Sequence, residues 1–449
     1  MDNTKIKPIF CVPATNADNN SFVGVRIRSN DIEFHYPESY NISGWDEDKK
    51  CVTDINELRK DIIAILHTIS LAKTRASASQ LTENGLSYTY NFALVSYLWI
   101  IRDFLANGFY QNKEKLYKNN SKGKVNWKKT LNTQPIISNG NVIYNNLVVE
   151  VKNDCDTIIT AAHRFCMYDS VRKIGWLFGI PENAYCVAPP SNSLIKKYIT
   201  AIKQEIANTF DDIKKIRLNH MLKVLSGVDD SKHISEIVYG VDKYHYIYER
   251  MVDAIFGNVE DIETYNPNAT WNVMRAHDKY SKHKAASLRP DTLHMDPATY
   301  IVDAETRTAY VLDAKYYRYG TTGIIKDLPE TTSIQKQVTY GDNLFKNFDD
   351  INVEKIRSAF VLPFNKDKNN FAKLENPQNR NMIYLGFANA NWRNGDEHEV
   401  VHAFLIDTKH LISSWSYGNN QADIDSLIED IQKYYDKVKD SWTLINDKG

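Results

Sequence analysis

Apolar residues recur at helical spacing from about residue 54. Ile55, Leu58, Ile62, Ile65 and Ile69 line one face, and Asp54 with Glu57 predicts a capping box at its start. Before that helix, residues 1–50 read as β-rich, with short apolar runs at Phe22-Val23-Gly24-Val25 and Ile32-Glu33-Phe34. Further helices are expected over 91–106, 156–174 and 193–224, with a strand-like pattern over 141–151. The most apolar stretch, Phe92 to Ile101, ends at Arg102-Asp103; it is too short to cross a bilayer and reads as a core helix. Ser226-Gly227-Val228-Asp229-Asp230-Ser231 is polar and turn-rich. A boundary there divides a mixed α+β amino-terminal domain, 1–230, from a second domain, 231–449. Beyond it a helix is expected over 239–256, followed by strands near 300–302, 309–317, 356–362, 382–387 and 400–406. An amphipathic helix through Ile424, Leu427, Ile428, Ile431, Tyr435 and Val438 closes the chain. This order of helix, strands and helix predicts an α/β domain, a mixed sheet flanked by helices.

A length of 449 residues suits two domains. The start of the chain lacks the apolar run of a secretion signal, and five scattered cysteines show no CxxC spacing. Both features predict a soluble, cytoplasmic protein with no membrane partner. Lysine and arginine number 55 against 56 acidic residues, so the chain as a whole is not basic. Affinity for nucleic acid rests largely on neutralised phosphates, and near-neutrality hints that a partner supplies part of it. The one basic run, Lys113, Lys115, Lys118, Lys122, Lys124, Lys128 and Lys129, reads first as a solvated loop and second as a phosphate-contacting patch.

The chemistry is concentrated between residues 288 and 317. Leu288-Arg289-Pro290-Asp291 precedes a hairpin whose outgoing strand is Tyr300-Ile301-Val302-Asp303 and whose return is Ala309 to Tyr317. On that return, Asp313 and Lys315 are two apart and share a face, while Leu312 and Ala314 point into the core. Two carboxylates and an ammonium stay together at a strand end only if they are paired or hold a metal. Asp291 and Asp313, with the carbonyl of Ala314, would hold magnesium, for which manganese could substitute. The metal would polarise a phosphate and acidify a bound water; Lys315 would orient that water. Glu150-Val151-Lys152 and Asp407-Thr408-Lys409 repeat the tripeptide without an upstream Pro-Asp, and read as surface alternation. No GxxxxGK[ST], GxSxG or HExxH motif is present.

This arrangement resembles the PD-(D/E)xK nucleases, which implies a restriction-endonuclease-like core in the second domain. Such nucleases often carry an acidic residue on a helix before the motif, which points to Glu249 as a further metal or water contact. Its stripe with His245, Val252 and Phe256 would turn it toward the sheet; a helix-surface glutamate paired with Arg250 or Lys243 is the equal alternative. By the same resemblance, Gln337 in Ser333 to Gly341 is a site residue on the helix after the motif strand, and Tyr340 belongs to the core.

Arg289-Pro290-Asp291-Thr292-Leu293-His294, Leu312 to Tyr317, Ser333 to Gly341 and Gly123 to Thr130 together resemble the LlaJI-type restriction endonucleases, a group linked to McrC-like subunits. The resemblance implies hydrolysis of double-stranded DNA in defence against phage, as the cleaving subunit beside an AAA+ GTPase or ATPase. A homodimer would suit cutting both strands. The alternatives are a stand-alone restriction or repair nuclease, and a non-catalytic adaptor that binds DNA or a partner. For Trp127-Lys128-Lys129 the favoured reading is a core-packed tryptophan with lysines docking a partner, ahead of direct DNA contact.

Overall fold

The computed structural model describes residues 8–15, 21–28, 31–75, 88–90, 93–120, 122–139, 141–230, 236–259, 262–267, 271–273, 281–283, 298–369, 371, 381–393, 396–415 and 420–446. The chain divides into two compact units. Residues 91–235 form one, and residues 7–90 join 236–449 in the other. A single boundary at 230 therefore misplaces residues 7–90. Two elements explain the difference. Ser226 to Asp230 continue the helix Asp212–Asp230 instead of turning. The stretch expected to open a helix at 239 is instead the strand Ile237–Val241, and the helix begins only at His245.

That strand carries the amino-terminal segment into the second unit. It pairs antiparallel with Val23–Ile27 on one side and Tyr88–Tyr90 on the other. Val23–Ile27 pairs in turn with Ile32–Pro37, which runs parallel to Ile9–Ala14. At the centre Gly24 faces Gly240 across the pairing. Gly24 has φ +150°, and a Cβ on Gly240 would stand 2.4 Å from the Phe22 ring, so no larger residue fits either place without displacing a neighbour. The helix Ile55–Arg75 buries Leu58, Ile62, Ile65 and Ile69, as its spacing predicts. Asp54 caps it by accepting from the Asn56 and Glu57 amides. Glu57 pairs with Lys60, so the box is only half made.

The second sheet of this unit has the order Thr299–Asp303, Thr308–Ala314, Lys355–Phe364, Val400–Asp407, Met382–Asn389. The three inner strands are parallel and the two edge strands antiparallel. Helices flank it, among them His245–Phe256, Thr331–Lys346 and Thr408–Trp415. The mixed sheet with flanking helices agrees with the fold class expected, and its inner strands are apolar on both faces because both are covered. Ile55–Arg75 lies against Thr408–Trp415 and His245–Phe256, tying the two sheets into one body.

One junction between them is a buried polar knot. Asp61 accepts from the Tyr40 hydroxyl at 2.9 Å, the Ser43 amide at 2.6 Å and the Lys409 ammonium at 2.9 Å. Lys409 is thus not a surface residue of alternating type. Asp407 is buried too, and its carboxylate caps the following helix through the His410 amide and also accepts from the Lys366 amide.

The first unit packs Leu94–Asn107, Ile158–Ile174, Asn192–Asn208 and Asp212–Asp230 against one another. Within it a small sheet joins Asn112–Asn119, Val148–Cys155 and Lys124–Val125. The lysine run therefore lies largely on strands and a short helix, not on a loop. Among the described residues no helix is long and apolar enough to cross a membrane.

Two buried histidines predict how the fold responds to acid. Burial, with Arg357 near His402 and Arg217 near His163, lowers both imidazoles from 6.5 to about 4. Their neutral forms are favoured only in the native state. Below pH 6.5 the unfolded chain takes up protons that the folded chain refuses, and stability falls until about pH 4. Each site should cost about 2 kcal/mol by pH 4.5. Urea titrations at pH 7 and 4.5 read this directly, and a His402→Gln chain should lose part of the difference.

Candidate functional site

The strand Thr308–Ala314 returns from a tight turn in which Arg307 takes φ +51°. Its ladder ends abruptly. The Lys315 amide still donates to the Val361 carbonyl, but the Lys315 carbonyl turns to accept from the Tyr317 amide at 2.8 Å. Pro363, farther along the neighbouring strand, has no N–H to extend the pairing. The motif strand therefore ends at Ala314, with Asp313 and the adjoining Lys315 two apart where the chain leaves the sheet.

That face is not open to solvent. Ala309 and Val311, in phase with Asp313, pack on Tyr340 and Leu344 of the Thr331–Lys346 helix. Asp313 lies beside Phe360 in the parallel register. The Asp313 and Lys315 side chains are only 13% and 17% exposed, and the carboxylate stands 2.9 Å from the ammonium. Leu312 and Ala314 are buried on the other face, as alternation predicts. Charges so placed lose most of their hydration and depend on each other.

Gln337 is fully buried on that helix, and its Nε2 donates to the Val311 carbonyl at 2.6 Å. It clamps the motif strand two residues before Asp313. Its Oε1 is buried without a hydrogen-bond partner among the described residues. A side chain in that position holds the strand and does not reach out to a nucleic-acid backbone. Tyr340 is core.

Of the two readings of Glu249, its position favours the helix-surface one. Tyr248, Val252 and Phe256 are buried on the His245–Phe256 helix, but Glu249 is exposed. Helical spacing put it on the edge of the apolar stripe, and the wide Tyr248-Met251-Val252-Ile255 face took the sheet contact instead. Asp291, with Pro290 and His294, lies outside the described residues. The chain that follows Asp291 enters the sheet at Thr299, which faces Leu312, one residue from Asp313.

Tyr300 is a neighbour that sequence reasoning missed. Burial pushes its phenol up, and the nearby Asp313 carboxylate adds to the effect. Its hydroxyl approaches Asn266 Oδ1 at 3.2 Å. The signal was available in the hairpin register, which sets Tyr300 against Val311 on the face of Asp313. Past Lys315, Tyr316 packs against Tyr244 and Tyr248, and Arg318 forks onto both Glu38 oxygens at 2.6 and 2.9 Å. Glu38, Ser39, Tyr316, Tyr317 and Arg318 line a shallow cleft beside the motif.

The donor chemistry here suits a hard cation. Asp313 offers a largely dehydrated carboxylate, and Ala314 a backbone carbonyl beside it. Among the described residues no group of three or more histidine, cysteine or acidic side chains is assembled for a metal.

Sequence and structure comparisons bear on this site. The family model described as LlaJI restriction endonuclease matches residues 22–407. The type II restriction enzyme BsuMI component YdjA of Bacillus subtilis (strain 168) is 24% identical over 275 residues. The match covers 59% of this chain and 56% of that protein, so the chain spans little more than half its relative's length. Among solved structures, McrB AAA+ hexamers with bound McrC from Thermococcus gammatolerans align at 12% identity and TM-score 0.33, over 89% of this chain and 83% of that one. The McrBC complex of the same organism aligns at 12% identity and TM-score 0.21, over 52% and 64%. Both scores lie below the level that marks a common fold.

Proposed function

Because the chain belongs to the LlaJI restriction endonuclease family, we propose that it hydrolyses DNA phosphodiesters through a PD-(D/E)xK-type centre at the end of its motif strand. The observation that carries this reading is the Asp313–Lys315 pair, 2.9 Å apart and mostly buried where the strand leaves the sheet. Asp313, the Ala314 carbonyl and Asp291 would hold magnesium or manganese. When bound, the ion supplies a Lewis acid for the phosphate and a more acidic water.

The chain's own groups do the rest. The Asp313 carboxylate, 2.9 Å from the ammonium, holds Lys315 along the strand face. Released in part to substrate, the Lys315 ammonium donates to the attacking water and to a phosphate oxygen, where negative charge grows. Gln337 holds the strand in register through the Val311 carbonyl, and so acts as a positioning residue. Glu249, being exposed, would serve only through a water.

We further propose that the chain is the cleaving subunit of an assembly with an AAA+ GTPase, acting in the cytoplasm against phage DNA. A near-neutral charge and the lack of a P-loop motif in the sequence support that division of labour. The test is cleavage of phage DNA by the full chain with magnesium, with manganese and with chelator, each with and without an AAA+ GTPase partner co-purified from its native extract. Cleavage is expected with either metal, none in chelator, and stimulation by the partner. Failure to cut under every condition would leave the adaptor reading.

A further inference from the structure

The lysine run of the first unit is not used by the proposed reaction, and its surroundings are unlike those of a core-packed motif. Trp127 is 60% exposed, which overturns the expectation that it packs in the core. It opens the short helix Trp127–Thr130, whose Asn126 cap leaves Lys128 and Lys129 exposed with it. Gly123 lets the chain turn back onto the sheet: with φ +154° it brings Lys124–Val125 beside Val148–Cys155, where a Cβ would meet the Glu150 carbonyl at 2.8 Å. Glu150 then pairs with Tyr117 on one side and Lys124 on the other, setting all three in one cross-strand row. Lys129 Nζ lies 3.2 Å over the Tyr117 ring, which ties the helix to the same face.

The result is a concentrated cationic surface. Lys124, Lys128 and Lys129 make no ion pair among the described residues, and Glu150 is the acidic side chain in their row. Three exposed lysines and an exposed indole within residues 124–129 match an anionic polymer that also offers flat rings. A protein partner would have to bring a dense acidic patch and an apolar cup together. A DNA strand carries phosphate and base at the required close repeat.

We propose that this face of the first unit binds the DNA backbone, with Lys124, Lys128 and Lys129 neutralising phosphates and Trp127 stacking on an unpaired base. It rests on reading the chain as a DNA-acting enzyme, and supplies locally the affinity that its overall charge does not. Binding is separable from hydrolysis, because chelator stops the second and leaves the first.

The test is fluorescence anisotropy of the full chain in EDTA, with a labelled duplex and a labelled oligothymidylate, from about 50 to 200 mM salt. The triple variant Lys124→Gln/Lys128→Gln/Lys129→Gln should bind both DNAs about tenfold more weakly or worse, and its slope of log affinity on log salt should flatten by about 2 to 3. Trp127→Ala should weaken the single strand by about tenfold and the duplex far less. Exposed lysines carry little of the fold, so circular dichroism of the variants should match the wild type. Unchanged affinity and slope in the triple variant, or no DNA binding by the wild type, overturns the proposal. Retained DNA binding with lost association to an AAA+ partner overturns it equally, and assigns the face to protein docking. A chain that never cleaves but shows the altered slope loses the hydrolytic reading and keeps this one.

Discussion

Asp313→Asn should lower DNA cleavage by about a thousandfold or more while the protein stays folded. Asparagine keeps the shape of the side chain, so the strand keeps its register beside Phe360 and its Ala309 and Val311 contacts with the Thr331–Lys346 helix. What it removes is the one described carboxylate at the strand end, and with it the charge that a divalent ion and Lys315 both require. Lys315→Met should cost a similar factor for the complementary reason: the methylene stem still fills its place, but nothing donates to the attacked phosphate. The double variant should be little worse than either single one, because the pair acts as a unit. Thermal melts establish that each variant folds, and cleavage of a supercoiled plasmid reads the loss. Cleavage within tenfold of wild type in Asp313→Asn would place the chemistry elsewhere.

The second large effect concerns where the motif-bearing unit begins. A fragment starting at residue 236 should fail to fold, although a boundary at 230 would make it a complete domain. Its strand Ile237–Val241 would lose both neighbours, and the Ile55–Arg75 helix that backs Thr408–Trp415 would be gone. The apolar surface so exposed includes Ile62, Ile65 and Ile69's counterparts in the remaining body, far more than a marginally stable domain can spare. A single-residue version is Asp61→Ala in the full chain. It leaves the buried Tyr40 hydroxyl and the Ser43 amide unpaired, while the Lys409 ammonium, a third exposed, keeps Ser43 Oγ and the Asn41 carbonyl and can partly rehydrate. The expected loss is about 3 kcal/mol, from the unpaired groups and not from a lost attraction. Urea unfolding of the variant and circular dichroism of the fragment check the two together. A fragment with a cooperative, native-like transition would restore the boundary at 230.

The site was legible in the sequence where local rules govern it. Hairpin punctuation around Ala304 to Thr308 and two-residue alternation put Asp313 and Lys315 on one face without knowledge of what covers that face. The readings that failed share a cause. Glu249 sat at the border of an apolar stripe, and periodicity locates such a residue only to within the width of the stripe. Trp127 is large and apolar, so burial was the natural expectation, but a four-residue helix on a three-stranded sheet has no mass behind it to bury an indole. Asp407-Thr408-Lys409 looked like alternation because Asp61, its partner, lies 348 residues away from Lys409.

By itself the sequence determined the elements that carry their own period: the Ile55–Arg75 helix, the motif hairpin, the apolar inner strands and the Asp313–Lys315 pair at a strand end. These depend on contacts within a few residues, and side-chain pattern encodes them directly. Only the tertiary structure decided which elements share a core. The amino-terminal sheet joins the motif-bearing body because Val23–Ile27 meets Ile237–Val241, a pairing across more than two hundred residues that two adjacent glycines permit. It also decided that Gln337 faces inward to hold the Val311 carbonyl, since the covering of the motif face by a helix sets that direction. Long-range pairing leaves no periodic trace in either partner, which is why a boundary read from turn-forming residues fell where a helix in fact continues.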